Sequence, residues 1–180
     1  MYWLAGWAWI APFPDNQDTR PVAVDETPAY AGGRYLPIEV IGAGGMALVL
    51  RALDQTLGVE RALKRLHVPQ AADPQARLRM AQEAKIAASV MHSSVVTVFD
   101  VFEEDGVPCL VLELCRGSLA DWVSANGPLP PRVATEVMVG VCAALEAVHE
   151  RGVLHRDVKP NNLLVAEDGT VKLADFGVAQ

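Results

Sequence analysis

At 180 residues, with 51% hydrophobic and 21% charged side chains, the chain has apolar material for one medium domain or a pair of small lobes. A formal net charge of −7 and a pI near 5.0 exclude a broad basic footprint, so sequence-independent binding to nucleic acid or to an anionic membrane is not expected. No run reaches the ~20 apolar residues of a membrane helix, and Cys109, Cys115 and Cys142, without a C-x-x-C pair, argue against a disulfide framework or zinc site and for a reducing, cytoplasmic setting, each read as a small buried apolar residue.

Residues 1–14, MYWLAGWAWIAPFP, carry no positive charge ahead of the apolar stretch and no small-x-small cleavage site, which makes a poor signal peptide. Trp3, Trp7 and Trp9 suit a membrane interface, but the absence of Lys and Arg argues against an amphipathic anchor through residues 1–13. Residues 15–33 are polar, carry Pro21 and Pro28 and read as linker, so 1–33 is expected to be a disordered leader and linker.

From Arg34 the pattern changes to strands. Residues 35–41 alternate and lead into Gly42-Ala43-Gly44-Gly45-Met46-Ala47-Leu48-Val49, a glycine-rich hairpin turn followed by a second strand through Leu53. Glycine there lets backbone amides approach phosphate oxygens. A third strand over 59–66 contains Ala62-Leu63-Lys64; a mid-strand lysine is by default a solvated edge residue. Asp73 as N-cap with Pro74 at the first helical position predicts a helix to about residue 90, on which Glu83 would by default be a surface charge. Residues 95–102 and 107–113 read as two more strands around the turn Glu103-Glu104-Asp105-Gly106, completing a five-stranded antiparallel sheet. Pro130-Pro131 opens a long helix with the apolar stripe Val133, Val137, Val141, Leu145 and Val148, closed by Gly152.

His155-Arg156-Asp157-Val158-Lys159-Pro160-Asn161-Asn162 follows, then short strands at 163–165 and 171–173, then Asp175-Phe176-Gly177. A carboxylate to accept a hydroxyl proton, a cation for a moving phosphoryl group, and an amide with a carboxylate for magnesium are the parts of phosphoryl transfer from a nucleotide. Asn162 stands five positions after Asp157, as in H-R-D-L-x-x-x-N, and D-F-G follows.

Taken in order, the glycine run, Lys64, Glu83, Asp157 with Asn162, and Asp175 resemble the eukaryotic-type protein kinases, in their bacterial serine/threonine form. The resemblance covers 34–180. It departs from the family at Ala47 in place of the third glycine, at Arg61 ahead of Ala62-Leu63-Lys64, and at Arg116-Gly117-Ser118-Leu119, one glycine short, which leaves the ribose contact open. It implies an α+β, two-lobe kinase fold: an N-lobe with hinge over 34–115, holding the five-stranded sheet and one helix, and an incomplete, mainly helical C-lobe over 116–180.

The resemblance also implies roles. Asp157 is the base, Lys159 offsets charge on the transferring group, and Lys64 bridges nucleotide phosphates while paired with Glu83. Ile41, Gly42, Ala43, Gly44, Gly45, Met46 and Val49 cover the nucleotide, Ala62, Leu163 and Leu164 line the adenine pocket beside Leu112, and the backbones of Glu113 and Cys115 bond the adenine edge. Asn162 and Asp175 hold Mg2+, and Arg156 receives an activation-loop phosphate. Lys159 followed by Pro160 is the serine/threonine-specific form. The implied activity is ATP- and Mg2+-dependent phosphorylation of protein Ser/Thr hydroxyls. The 180 residues are expected to be a fragment ending just after D-F-G and inactive alone. The alternatives are a non-catalytic nucleotide- or partner-binding remnant and a small-molecule phosphotransferase, disfavoured by H-R-D with a lysine two places on.

Overall fold

The computed structural model describes residues 29–44, 47–67 and 72–175, the side chain of Glu83 excepted. They divide into two units, one of residues 29–88 and 97–114, the other of 89–96 and 115–175. The leader, Gly45, Met46 and Phe176-Gly177 lie outside the described residues.

In the first unit, alternating apolar residues build β1 (Tyr35–Ala43), β2 (Ala47–Asp54), β3 (Val59–Leu66), β4 (Val98–Glu104) and β5 (Val107–Leu112). They form the expected five-stranded antiparallel sheet, in the order β1-β2-β3-β5-β4. Pro37 is accommodated because β1 is an edge strand. Asp105 and Gly106, both at positive φ (51° and 73°), make the mirror-image turn whose twist suits a hairpin between β4 and β5.

Tyr35, Leu50, Ala52, Leu63, Cys109 and Val111 form the core on one sheet face. On the other, Leu66 and Leu110 pack against Ala76, Met80 and Ala84 of α1 (Pro74–Ser89). Asp73 caps that helix as expected, its carboxylate accepting from the Gln75 N–H at 2.9 Å.

The linker reading does not hold for its last residues. Tyr30 is 3% exposed, bridges Tyr35, and takes a 2.7 Å bond from Arg65 Nη1, while the Ala31 N–H donates to Glu104 Oε2 at 2.8 Å. Burial of an aromatic ring favours docking, and Gly32 and Gly33, at φ 63° and 100°, allow the tight reversal. Next to this clip, Arg34 binds Asp54 through Nη2 (2.9 Å) and Nε (3.3 Å), and Asp100 through Nη1 (3.0 Å). Tyr35 donates its hydroxyl to Asp100 at 3.0 Å. The Arg34 guanidinium, helped by the N–H groups of Leu57 and Thr56, holds the Asp54 carboxyl below its ordinary range despite its burial.

The strand expected over 95–102 is divided. Val95 and Val96 belong to the second unit, where the Leu173 N–H bonds Ser94 O (2.8 Å) and the Val96 N–H bonds Leu173 O (3.0 Å). At Thr97 the partner changes to Glu113, whose N–H donates to Thr97 O at 2.9 Å, and β4 begins at Val98. The whole run is β-prone, so only its long-range partners decide which sheet each residue joins.

The second unit holds β6 (Gly117–Ser118), α2 (Leu119–Asn126), α3 (Pro131–His149), a 3-10 turn (Pro160–Asn162), β7 (Leu163–Val165) and β8 (Val171–Leu173). The strands form a small antiparallel sheet in that order. Sequence reading did not foresee α2. A capping box starts it: Ser118 Oγ accepts from the Asp121 N–H (3.1 Å), and the Asp121 carboxylate accepts from the Ser118 N–H (3.0 Å). Its burial of Leu119 and Trp122 keeps it in place.

α3 buries Val133, Val137, Val141, Ala144 and Val148, so Ala144 takes the place expected for Leu145, which is half-buried. Each step of four over-rotates by about 40° on a helix of 3.6 residues per turn, and a step of three restores the stripe. The cysteines also differ from expectation: Cys109 is buried, which pushes its thiol up to about 11, but Cys115 is half-buried and Cys142 exposed. Among the described residues, no helix is long and apolar enough to cross a membrane.

Candidate active site

Between α3 and the 3-10 turn the chain has little regular structure, and side chains set its shape. His155 is 1% exposed. Its Nδ1 accepts the Asp157 N–H at 3.3 Å, so the ring proton sits on Nε2, which donates to the Ala174 carbonyl at 2.9 Å. Asn162, also buried, donates through Nδ2 to both the carbonyl oxygen and Oδ2 of Asp157, each at 2.9 Å. Lys159 Nζ donates to the same Oδ2 at 2.7 Å.

The Ala174 N–H donates to the Asn162 carbonyl at 2.9 Å. The residue just before Asp175 is therefore tied on one side to Asn162 and on the other to His155. These bonds bring Asp157, Lys159, Asn162 and Asp175 into one neighbourhood. Lys159, then Asn162, hold the half-exposed Asp157 carboxyl below the usual carboxylate range, so it is ionised at neutral pH. Arg156 and Asp175 stand at φ 63° and 56°, left-handed positions that cost residues with a Cβ roughly 1–3 kcal/mol each.

In the first unit, strand register sets Gly42, Val49, Lys64 and Leu110 in one row across four strands, and Ala62 opposite Leu112. Alternation puts Lys64 on the face of Ala62 and Leu66, which α1 covers. Glu83 belongs to α1, between the buried Met80 and Ala84, and its side chain is outside the described part. Ile41, Gly42 and Ala43 end β1, and the Gly44 N–H donates to Ala47 O at 3.0 Å. Leu164, in the second unit, pairs with Ser118 and Lys172, and Cys115 precedes β6 in the same unit.

A family model described as the protein kinase domain matches residues 35–180. The chain belongs to the protein kinase family. It is 41% identical over 152 residues to the probable serine/threonine-protein kinase PknB of Corynebacterium glutamicum, covering 82% of this chain and 24% of that protein. It is 39% identical over 148 residues to the serine/threonine-protein kinase PrkC of Bacillus subtilis, covering 82% and 23%. Against the crystal structure of a mutant of the Mycobacterium tuberculosis PknI kinase domain, it has a TM-score of 0.70 and 31% identity, covering 82% of this chain and 60% of that one. The chain thus spans about a quarter of the length of these curated relatives.

The sequence pointed to Asp157, Lys159 and Asn162, and the folded kinase chain joins all three through the Asp157 carboxylate. It gave no task to His155, the first letter of H-R-D, nor to Ala174. His155 acts through its ring on backbone partners and Ala174 through its own backbone, and backbone partners leave little mark on residue identity. The one available signal was a histidine beside two charged residues in a segment whose neighbours are apolar.

Proposed function

We propose that this kinase domain transfers the γ-phosphoryl group of ATP to serine and threonine hydroxyls of protein substrates. The observation that carries the reading is the Asp157 carboxylate, ionised and held by Lys159 and Asn162, with Asp175 fastened to the same loop through Ala174. Asp157 accepts the hydroxyl proton as the oxygen bonds to the γ-phosphorus and the bond to the β-phosphate oxygen breaks, releasing ADP. Lys159, already beside that carboxylate, offsets negative charge on the moving group.

The donor set suits magnesium. Asn162 spends Nδ2 on Asp157, so its amide oxygen is the end suited to a cation, and Asp175 adds a carboxylate; hard oxygens of this kind, completed by phosphates and water, are what Mg2+ takes. MgATP, when bound, supplies the phosphoryl group and neutralises its charge. Lys64 would hold the phosphates with Glu83 orienting it, and the amides of 42–46 would cover them. Of the adenine-contacting roles that the resemblance implies, those of Ile41, Val49, Ala62 and the Glu113 backbone fall in the first unit and those of Leu164 and the Cys115 backbone in the second. Lys159-Pro160 favours serine and threonine acceptors, and the cysteine pattern a reducing, cytoplasmic setting.

The test is a transfer assay on the full-length protein with γ-labelled ATP. Asp157→Asn should reduce transfer by about a hundredfold or more while ATP affinity stays within about twofold. Phosphoamino-acid analysis should give phosphoserine or phosphothreonine. An Asp157→Asn enzyme at the wild-type rate, or phosphotyrosine alone, overturns the reading. ATP binding without any transfer favours the non-catalytic alternative, and equal ATP affinity with and without magnesium removes the metal role of Asn162 and Asp175.

A further inference from the structure

Near its end β8 is accompanied on both edges. β7 takes one, with Leu163 opposite Leu173. Residues 94–96 of the same unit take the other: the Leu173 N–H donates to Ser94 O at 2.8 Å, the Val96 N–H donates to Leu173 O at 3.0 Å, and Val95 forms a parallel bridge with Leu173. Both backbone polar groups of Leu173 are thus spent on 94–96. Those of Ala174, the next residue, go to Asn162 and His155, each at 2.9 Å. The two residues that precede Asp175 are therefore held from opposite sides, one by 94–96 and the other by the loop that carries Asp157.

α3 leaves room for the first of these supports. Ser94, Val95 and Val96 are buried, and a Cβ at Gly140, in the interior of α3, would stand 3.4 Å from Ser94 Oγ. Glycine weakens a helix interior relative to alanine, and Gly140 has no positive φ to require it. Its distinguishing feature is this approach of Ser94. A methyl group there makes an ordinary contact, whereas a β-branched side chain widens at the point of contact and has one dominant rotamer in a helix.

We propose that Gly140 is a positioning residue for the Asp175 carboxylate: lacking a side chain, it lets residues 94–96 lie along β8, and their two bonds to Leu173 hold the strand end that leads into Asp175. The proposal rests on the magnesium role given to Asp175 above, so one arm of its test uses neither metal nor nucleotide.

In the full-length protein, amide exchange at Leu173 is compared among wild type, Gly140→Ala, Gly140→Val, Val96→Pro, and Gly140→Val combined with Ser94→Ala, which removes the atom a Cβ would meet. Val96→Pro deletes the donor to Leu173 O without adding bulk at α3, and it carries the test if Gly140→Val does not fold. Exchange should speed up about tenfold in Gly140→Val and in Val96→Pro, the size set by one or two net hydrogen bonds. It should stay near wild type in Gly140→Ala and in the double variant. The second arm follows transfer from γ-labelled ATP to casein. The Mg2+ concentration for half-maximal rate should rise about tenfold or more in the two fast-exchanging variants, as when a support of a metal ligand is lost, and return in the double variant. Unchanged exchange at Leu173 overturns the support by 94–96, and a double variant no better than Gly140→Val overturns the role of Gly140. Faster exchange with an unchanged Mg2+ requirement overturns the link to Asp175. Wild-type ATP affinity that ignores magnesium overturns the metal role of Asp175 itself, while the exchange arm still judges the packing.

Discussion

Replacing His155 by leucine removes two bonds at once and tests whether the loop geometry depends on that ring. The variant leaves the Asp157 N–H and the Ala174 carbonyl without their 3.3 and 2.9 Å partners. A buried polar group left unsatisfied costs about 1–3 kcal/mol, and water can reach the half-exposed Asp157 more readily than Ala174, so the pair should cost about 2–4 kcal/mol. For a domain of about 150–250 residues that lowers Tm by roughly 4–16 °C in scanning calorimetry. The rate should suffer more, because Asp175 follows Ala174 directly and an ångström of misplacement costs on the order of a hundredfold. His155→Asn is the control. Its amide oxygen sits where Nδ1 does and can keep the Asp157 N–H, so its losses should be intermediate. A His155→Leu enzyme with wild-type Tm and kcat would refute the reasoning, as would His155→Asn behaving no better than leucine.

Asp54→Asn should destabilise the protein at neutral pH. The folded-state pKa of Asp54 is depressed, chiefly by Arg34, so its contribution is fully present above the unfolded value of about 3.9 and is lost as pH falls through the lower folded value. Equilibrium unfolding at several pH values should show the gap between Asp54→Asn and wild type narrowing below about pH 4, and a constant gap would contradict it. Ala144→Leu should overpack α3 and cost about 1–3 kcal/mol, whereas Leu145→Ala, at a half-buried site, should cost less. The reverse order in urea unfolding would reinstate Leu145 as the buried member of the stripe.

The sheet was legible because its signals are local: alternation in β1 to β5, an Asp-Gly hairpin, and Asp73-Pro74 ahead of α1. The misses depend on partners far along the chain. Tyr30 docks because Arg65 and Glu104 meet it and its neighbour, and the run from Val95 to Val98 changes sheet because Val96 bonds Leu173 while Thr97 bonds Glu113. α2 was missed for another reason. Its eight residues are too few for a periodic signal, and its capping box carries Asp121 where Glu or Gln is the usual marker.

The candidate site was legible as letters but not as a connected object, and the strain at Arg156 and Asp175 explains why the connections matter. The two left-handed residues bracket the 18 residues that hold Asp157, Asn162, the 3-10 turn, β7 and β8. Ordinary backbone angles at either would redirect the chain beside Asp157 or at Asp175. Ala174 opposes this with its N–H on Asn162 and its carbonyl on His155, and Asn162 opposes it again through its two bonds to Asp157. These bonds close rings over residues 162–174, 155–174 and 157–162, and the second contains Arg156. The two carboxylates are therefore positioned as a unit, and the residues that achieve it are a buried histidine, an asparagine amide and an alanine backbone, none of which needs to touch a substrate.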